Sequence, residues 1–183
     1  MITTIRMLSP SESLPVIDRD LVVEEILNPV FANGEFSYSV TAVPDSYVKT
    51  YVAPNLDGDL PISDVLVAQE AGHSLGIALL VKHWTGYGEI YDFAVSRTAR
   101  GRGIGASLLQ SAKEWAGASA LLGLRAETQN TNVPACRLYS QCGFSLRGMD
   151  TSLYRGASGV AHEVALFWYW DASDRLSSSS FRL

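Results

Sequence analysis

Asn132-Val133-Pro134-Ala135-Cys136-Arg137-Leu138-Tyr139-Ser140-Gln141-Cys142-Gly143-Phe144 decides how the rest of the chain is read. Asn132 is a residue type that caps helix starts, and Gly143 one that ends helices. Residues 133–141 between them are expected to form a short helix. The run before it, residues 121–128, is read as a strand, and so are residues 143–153 after it. The stretch is therefore a strand–helix–strand unit.

Working upstream, Arg100-Gly101-Arg102-Gly103-Ile104-Gly105-Ala106 follows a strand and opens a second helix, residues 102–116. Ile104, Leu108, Leu109, Ala112, Trp115 and Ala116 recur at helical spacing and mark its buried face. The first amides of a helix lack internal partners and sit at the positive end of its dipole. Glycines remove the Cβ atoms that would hold an anion away, so this turn suits a pyrophosphate. Arg97, Arg100 and Arg102 reverse the local sign of a chain with net charge −5. Gly101-x-Gly103-x-x-Ala106, with Glu127 about 20 residues on, also nominally fits a dinucleotide fingerprint. That match is weak: residues 96–100 separate the strand from the first glycine, and the chain is too short in parallel βα units.

Further upstream, residues 65–69 and 75–81 form an expected hairpin across Ala71-Gly72-His73. The turn Thr85-Gly86-Tyr87-Gly88 leads to a third strand, residues 89–95. Residues 163–170 form the last strand. The N-terminal third is harder to read: residues 3–8 and 36–43 suit strands, residues 18–27 suit a helix, and residues 54–61 a loop. The expected class is α/β (α+β): one domain, residues 1–170, built on a mixed sheet with helices on both faces. The Ser-rich residues 171–183 are expected to be a disordered or appended tail.

Composition narrows the function. Hydrophobic residues make up 47%, aromatics 10% and charged residues 18%, which fits a globular domain. Nothing reaches the roughly 20 apolar residues of a membrane span, and the start lacks a secretory signal. The acidic balance argues against nucleic acid and permits a cationic substrate. Cys136 and Cys142 match no metal pattern and no disulfide framework, so a reduced thiol pair in the cytoplasm is expected, with no metal.

Two spaced motifs carry a family resemblance. Arg100-x-x-Gly103-x-Gly105 is similar to the acyl-CoA loop of the GNAT acetyltransferases, and residues 132–144 match their pattern N-x-x-A-x-x-x-Y-x-x-x-G-F at every specified position. The resemblance covers roughly residues 65–155. It implies a mostly antiparallel sheet splayed at an acetyl-CoA site. It also implies that Arg100, Arg102, Gly103, Ile104, Gly105 and Ala106 hold the pyrophosphate, that the backbone of Phe93, Ala94 and Val95 meets the pantetheine and the oxyanion, and that Asn132 orders the pantetheine arm. Glu127 to Cys136, Leu138-Tyr139, Cys142-Gly143-Phe144, Trp84, Asp92, Gly148-x-Asp150 and Trp168-Tyr169-Trp170 resemble the streptothricin (nourseothricin) acetyltransferases more closely. Those enzymes acetylate an amine on the β-lysine arm of a cationic antibiotic. Some carry a long acidic tract where this chain has only Asn55-Leu56-Asp57-Gly58-Asp59.

Amide formation from a thioester needs a deprotonated amine, a stabilised oxyanion and a proton for the departing thiolate. The resemblance gives the last role to Tyr139. Glu127 and Asp92 rank first as bases. Asp92 stands out because an unpaired carboxylate inside an apolar strand is costly; a structural ion pair is its alternative role. Glu89 ranks third, and strand alternation puts it opposite Asp92. No activating His lies near either cysteine in sequence, which disfavours a covalent acyl-enzyme. The expected reaction is direct transfer from acetyl-CoA to a small cationic amine. An acetyltransferase for protein N-termini or lysines, or a non-catalytic CoA-binding module, are the rivals. The oligomeric state stays open, a homodimer among the options.

Overall fold

The computed structural model describes residues 3–54 and 62–172. Seven strands make up a large, mostly antiparallel sheet, and two more form a separate hairpin sheet. The chain divides into two compact units. One takes in the chain up to Arg19, Val52–Arg125 and the segment from Trp170 onward; the other takes in Asp20–Tyr51 and Ala126–Tyr169.

In the first unit β1 (Thr4–Met7), β4 (Ile62–Glu70), β5 (His73–Lys82) and β6 (Gly88–Val95) lie side by side, each antiparallel to the next. Ala71 and Gly72 take positive φ in the tight turn between β4 and β5, the twist that two-residue hairpins need. α1 (Ile104–Ala118) packs on β4, β5 and β6. Its buried residues are the six marked by helical spacing. The opposite face of these strands buries Val67, Ile77, Leu79 and Ala94 under Ile17, with Leu8 and Leu14 packed alongside.

The second unit holds the long hairpin of β2 (Asp20–Ala32) and β3 (Glu35–Thr50), helix α2 (Val133–Gln141) and edge strand β8 (Ser145–Asp150). It also holds most of β7 (Gly123–Gln129) and β9 (Ala165–Asp171), strands that continue into the first unit. β8 pairs antiparallel with β9. Asn33 and Gly34, both at positive φ, close the β2–β3 hairpin, with Ala32 paired to Glu35.

The expected helix over residues 18–27 is wrong; that segment is in β2. Leu21, Val23 and Leu27 are buried, a period of two, whereas Val22 is exposed. Adjacent apolar pairs 21–22 and 26–27 imitate a helical stripe locally, and pairing with β3 overrides it. α1 begins at Ile104, two residues later than expected, because Gly103 is its left-handed N-cap. Asp171 closes β9, and the Ala172 amide donates to the Leu122 carbonyl at 2.9 Å. The rest of the expected tail, and the acidic loop over residues 55–59, lie outside the described residues. No helix among the described residues is long and apolar enough to cross a membrane.

Candidate functional site

In the first unit the glycine-rich turn has the features of an anion cradle. A single 3-10 turn, Arg97–Ala99, leads out of β6. Gly101 and Gly103 then both take the left-handed conformation, and a Cβ at either would meet nothing within 4 Å. Glycine is required there by φ, and the space above the turn is open. No side chain caps α1 and no acidic residue sits in its first turn. The amides of Ile104, Gly105 and Ala106 are thus the orphan donors of a helix start, beside open space. The turn fits the diphosphate of an acyl-CoA.

Two of the three local arginines have work within the fold. Arg100 Nε donates to the Val95 carbonyl at 3.1 Å, tying the turn to the end of β6. Arg102 is ion-paired to Glu70, Nη2 to Oε2 at 2.5 Å. Phe93, Ala94 and Val95 pair with Ala78, Ile77 and Gly76 of β5.

Asp92 departs from its expected place as a base. Both its oxygens accept from Arg19 at 2.7 Å in a bidentate pair, with both side chains largely buried. The carboxylate that is costly in an apolar strand is balanced by a guanidinium from the segment that covers that face. Nor does Glu89 face the opposite side. Leu79 pairs with Asp92 and Leu80 with Ile90, so Tyr91 is an extra, bulged residue. The bulge resets the alternation, and Glu89, opposite Val81, shares a face with Asp92. Glu89 lies 3.5 Å from Arg125 Nη2, and Arg125 Nη1 donates to His83 Nε2 at 3.2 Å. His83 Nδ1 lies 2.8 Å from Thr85 Oγ1. Trp84 is exposed on the β5–β6 turn, and the Tyr87 hydroxyl donates to Asp171 at 2.6 Å.

The second unit collects Glu127, Asn132 and Tyr139. Asn132 is the N-cap of α2, its Oδ1 accepting from the Ala135 amide at 3.2 Å. Tyr139 is 3% exposed, its ring 5.4 Å from Phe144 and 6.3 Å from Trp168. Glu127 accepts a short hydrogen bond from the Tyr154 hydroxyl, which in turn accepts from Gln129 Nε2 at 2.8 Å. Burial, then the bond to Glu127, push the Tyr154 phenol well above its ordinary pKa. Tyr154 is therefore a fixed donor that aims the carboxylate.

The second unit also holds a buried ion pair. Lys49 Nζ meets the two oxygens of Glu163 at 2.7 and 2.5 Å, and Thr131 Oγ1 donates to Glu163 at 3.0 Å. Lys49 also sits 4.8 Å from the centre of the Tyr51 ring. Burial, then the Glu163 charge, raise the pKa of the Tyr51 phenol.

Sequence reasoning missed Arg19, Tyr154, Gln129, Lys49 and Glu163. Period-two alternation puts Gln129 on the same face of β7 as Glu127, so that residue was findable. Tyr154 and Glu163 sit in the turns of residues 151–164, where no periodicity exists to read.

Cys136 is buried on α2, and burial pushes its thiol up to about 12. Iodoacetamide at about pH 8 is expected to label Cys142 first and Cys136 only after unfolding, as mapped by peptide masses. Rapid labelling of native Cys136 would reopen a covalent acyl-enzyme route.

Comparison with known proteins bears on this geometry. Residues 33–144 match the Acetyltransferase (GNAT) family. The chain is 35% identical over 164 residues to a streptothricin acetyltransferase of Escherichia coli, covering 88% of this chain and 92% of that one. It superposes with TM-score 0.84 and 32% identity on a protein described as a streptothricin acetyltransferase from Bacillus anthracis strain Ames, solved with acetyl coenzyme A; 93% of this chain and 99% of that one are covered. A nourseothricin acetyltransferase structure matches with TM-score 0.77 and 25% identity over 92% and 98% of the two chains. This chain belongs to the GNAT family and is an N-acetyltransferase.

Proposed function

We propose that this protein moves the acetyl group of acetyl-CoA to an amino group on the β-lysine arm of a streptothricin-type antibiotic, by direct transfer in a ternary complex in the cytoplasm. The likeness to the Escherichia coli streptothricin acetyltransferase carries this reading, because it runs through nearly the whole of both chains rather than through the CoA motifs alone. Acetylation removes one positive charge from the drug, which would confer resistance.

The roles follow from the chemistry. The amides of residues 103–106 and the side chains of Arg100 and Arg102 bind the diphosphate. The backbone of Phe93, Ala94 and Val95 orients the thioester, and the Asn132 amide nitrogen orders the pantetheine arm. Glu127, aimed by Tyr154, takes a proton from the ammonium, whose ordinary pKa near ~10.4 keeps it non-nucleophilic at neutral pH. The amine nitrogen bonds to the thioester carbonyl carbon, the carbon–sulfur bond breaks, the Tyr139 hydroxyl gives its proton to the departing sulfur, and the second proton lost by the nitrogen restores the Tyr139 hydroxyl. Asp92 drops out as a base because Arg19 occupies both its oxygens, and it serves to hold the segment that ends at Arg19. Cys136, buried and protonated, takes no part.

The test is release of free thiol from acetyl-CoA with streptothricin, aminoglycosides, polyamines and N-terminal peptides as acceptors. Streptothricin is expected to be the best acceptor; turnover with peptides alone would overturn the reading. Tyr139→Phe is expected to lower kcat by roughly ten- to a thousand-fold, as loss of a general acid does. A full rate in that variant removes Tyr139 from the mechanism.

A further inference from the structure

In the second unit the fold leaves the Tyr51 hydroxyl unused. Tyr51 follows Thr50, the last residue of β3, and the Lys49 ammonium lies over its ring, 4.8 Å from the centre. Lys49 is held by Glu163 and lies 3.5 Å from Thr131 Oγ1. Thr131 precedes Asn132, the N-cap of α2, so these contacts fix the Tyr51 ring beside the start of that helix. The ring is part-buried, but the hydroxyl is sealed from solvent and meets no hydrogen-bond partner among the described residues. A polar group buried without a bond is costly, and phenylalanine would fill the same space without that cost.

The surroundings say what the hydroxyl can do. Burial, then the Glu163 charge, keep the phenol protonated, and the Glu127 charge adds to the effect. The Asn132 side chain works the other way, so it too faces this oxygen, without meeting it in hydrogen-bond geometry. Asn132 uses its Oδ1 to cap α2, accepting from the Ala135 amide at 3.2 Å, and that leaves its Nδ2 as a donor.

A phenol O–H and an amide N–H therefore stand together at the start of α2. An ammonium only donates, so it leaves both of these protons unanswered. A carbonyl oxygen has two lone pairs and can accept from both. The pantetheine arm of acetyl-CoA carries amide carbonyls of that kind.

We propose that the Tyr51 hydroxyl is a further binding group for acetyl-CoA, which together with Asn132 Nδ2 clasps an amide carbonyl of the pantetheine arm. This role rests on the reading that Asn132 orders that arm, and it does not depend on which amine is acetylated. Titration calorimetry on the full chain, with no amine present, reads it. Tyr51→Phe is expected to weaken acetyl-CoA binding by about three- to ten-fold, as loss of one neutral hydrogen bond does. The same variant is expected to bind adenosine 3′-phosphate 5′-diphosphate, the nucleotide half of CoA without the pantetheine, as the wild type does. Asn132→Ser keeps a capping oxygen and removes the amide nitrogen, and it is expected to show the same split between the two ligands. Equal losses for both ligands in Tyr51→Phe would make Tyr51 a support of the fold only, and an unchanged acetyl-CoA affinity would leave its hydroxyl without a role; either overturns the proposal. If Asn132→Ser shows the split and Tyr51→Phe does not, the role of Tyr51 falls alone. If neither variant shows it, the reading of Asn132 falls as well.

Discussion

Glu127→Gln is expected to lower kcat/KM for the amine by about 10²- to 10⁴-fold while leaving acetyl-CoA binding unchanged. Gln keeps the shape of the carboxylate and still accepts from the Tyr154 hydroxyl, so the turns around Tyr154 stay in place. What disappears is the group proposed to remove the proton from the ammonium. The residual rate should then climb steadily with pH toward the ordinary amine pKa, near ~10.4, because only solvent-deprotonated amine reacts. Wild-type enzyme should level off well below that pH. Titration calorimetry with CoA checks binding, and a pH–rate profile separates loss of a base from damage to the fold. A near-normal rate with an unchanged profile would place the base elsewhere, with Glu89 the remaining candidate.

Lys49→Met is expected to destabilise the protein by about 3–5 kcal/mol, as removal of one partner from a buried ion pair does. Lys49 and Glu163 side chains are 12% and 2% exposed, so the variant strands a carboxylate away from water beside the Thr131 hydroxyl. For a chain of this size that is a fall in Tm of roughly 10 °C or more, readable by calorimetry. Adding Glu163→Gln to Lys49→Met should recover much of the loss, since the uncompensated charge goes with it. If the double variant is no more stable than the single one, Lys49 contributes by packing rather than by charge. The pair also has a functional consequence. It fixes Thr131, the neighbour of Asn132, so the side chain proposed to order the pantetheine arm rests on a salt bridge outside the proposed chemistry.

The segments nearest the chemistry were legible because their signals are local. The buried stripe of α1, the Asn132 cap, the bounds of α2 and the hairpin around Ala71-Gly72 each depend on residues within a few positions of one another. The N-terminal third was misread where tertiary pairing overrode local pattern. Leu21-Val22 and Ile26-Leu27 satisfy a helical stripe and a strand equally well until β3 lies alongside. Alternation along β6 failed for a related reason: one bulged residue, Tyr91, turned Glu89 to the side of Asp92, and nothing in the local residues announces it.

The sequence by itself determined the strand–helix–strand core and the glycine turn that opens α1, since periodicity, capping and glycine placement act over a few residues. Only the tertiary structure decided what each carboxylate touches. Asp92 is neutralised by Arg19 73 positions away, Glu163 holds Lys49 114 positions away, and Glu127 is left to Tyr154, 27 positions on. A carboxylate is a base, an anchor or a strut according to what stands within about 3 Å of it, and chain folding sets that distance.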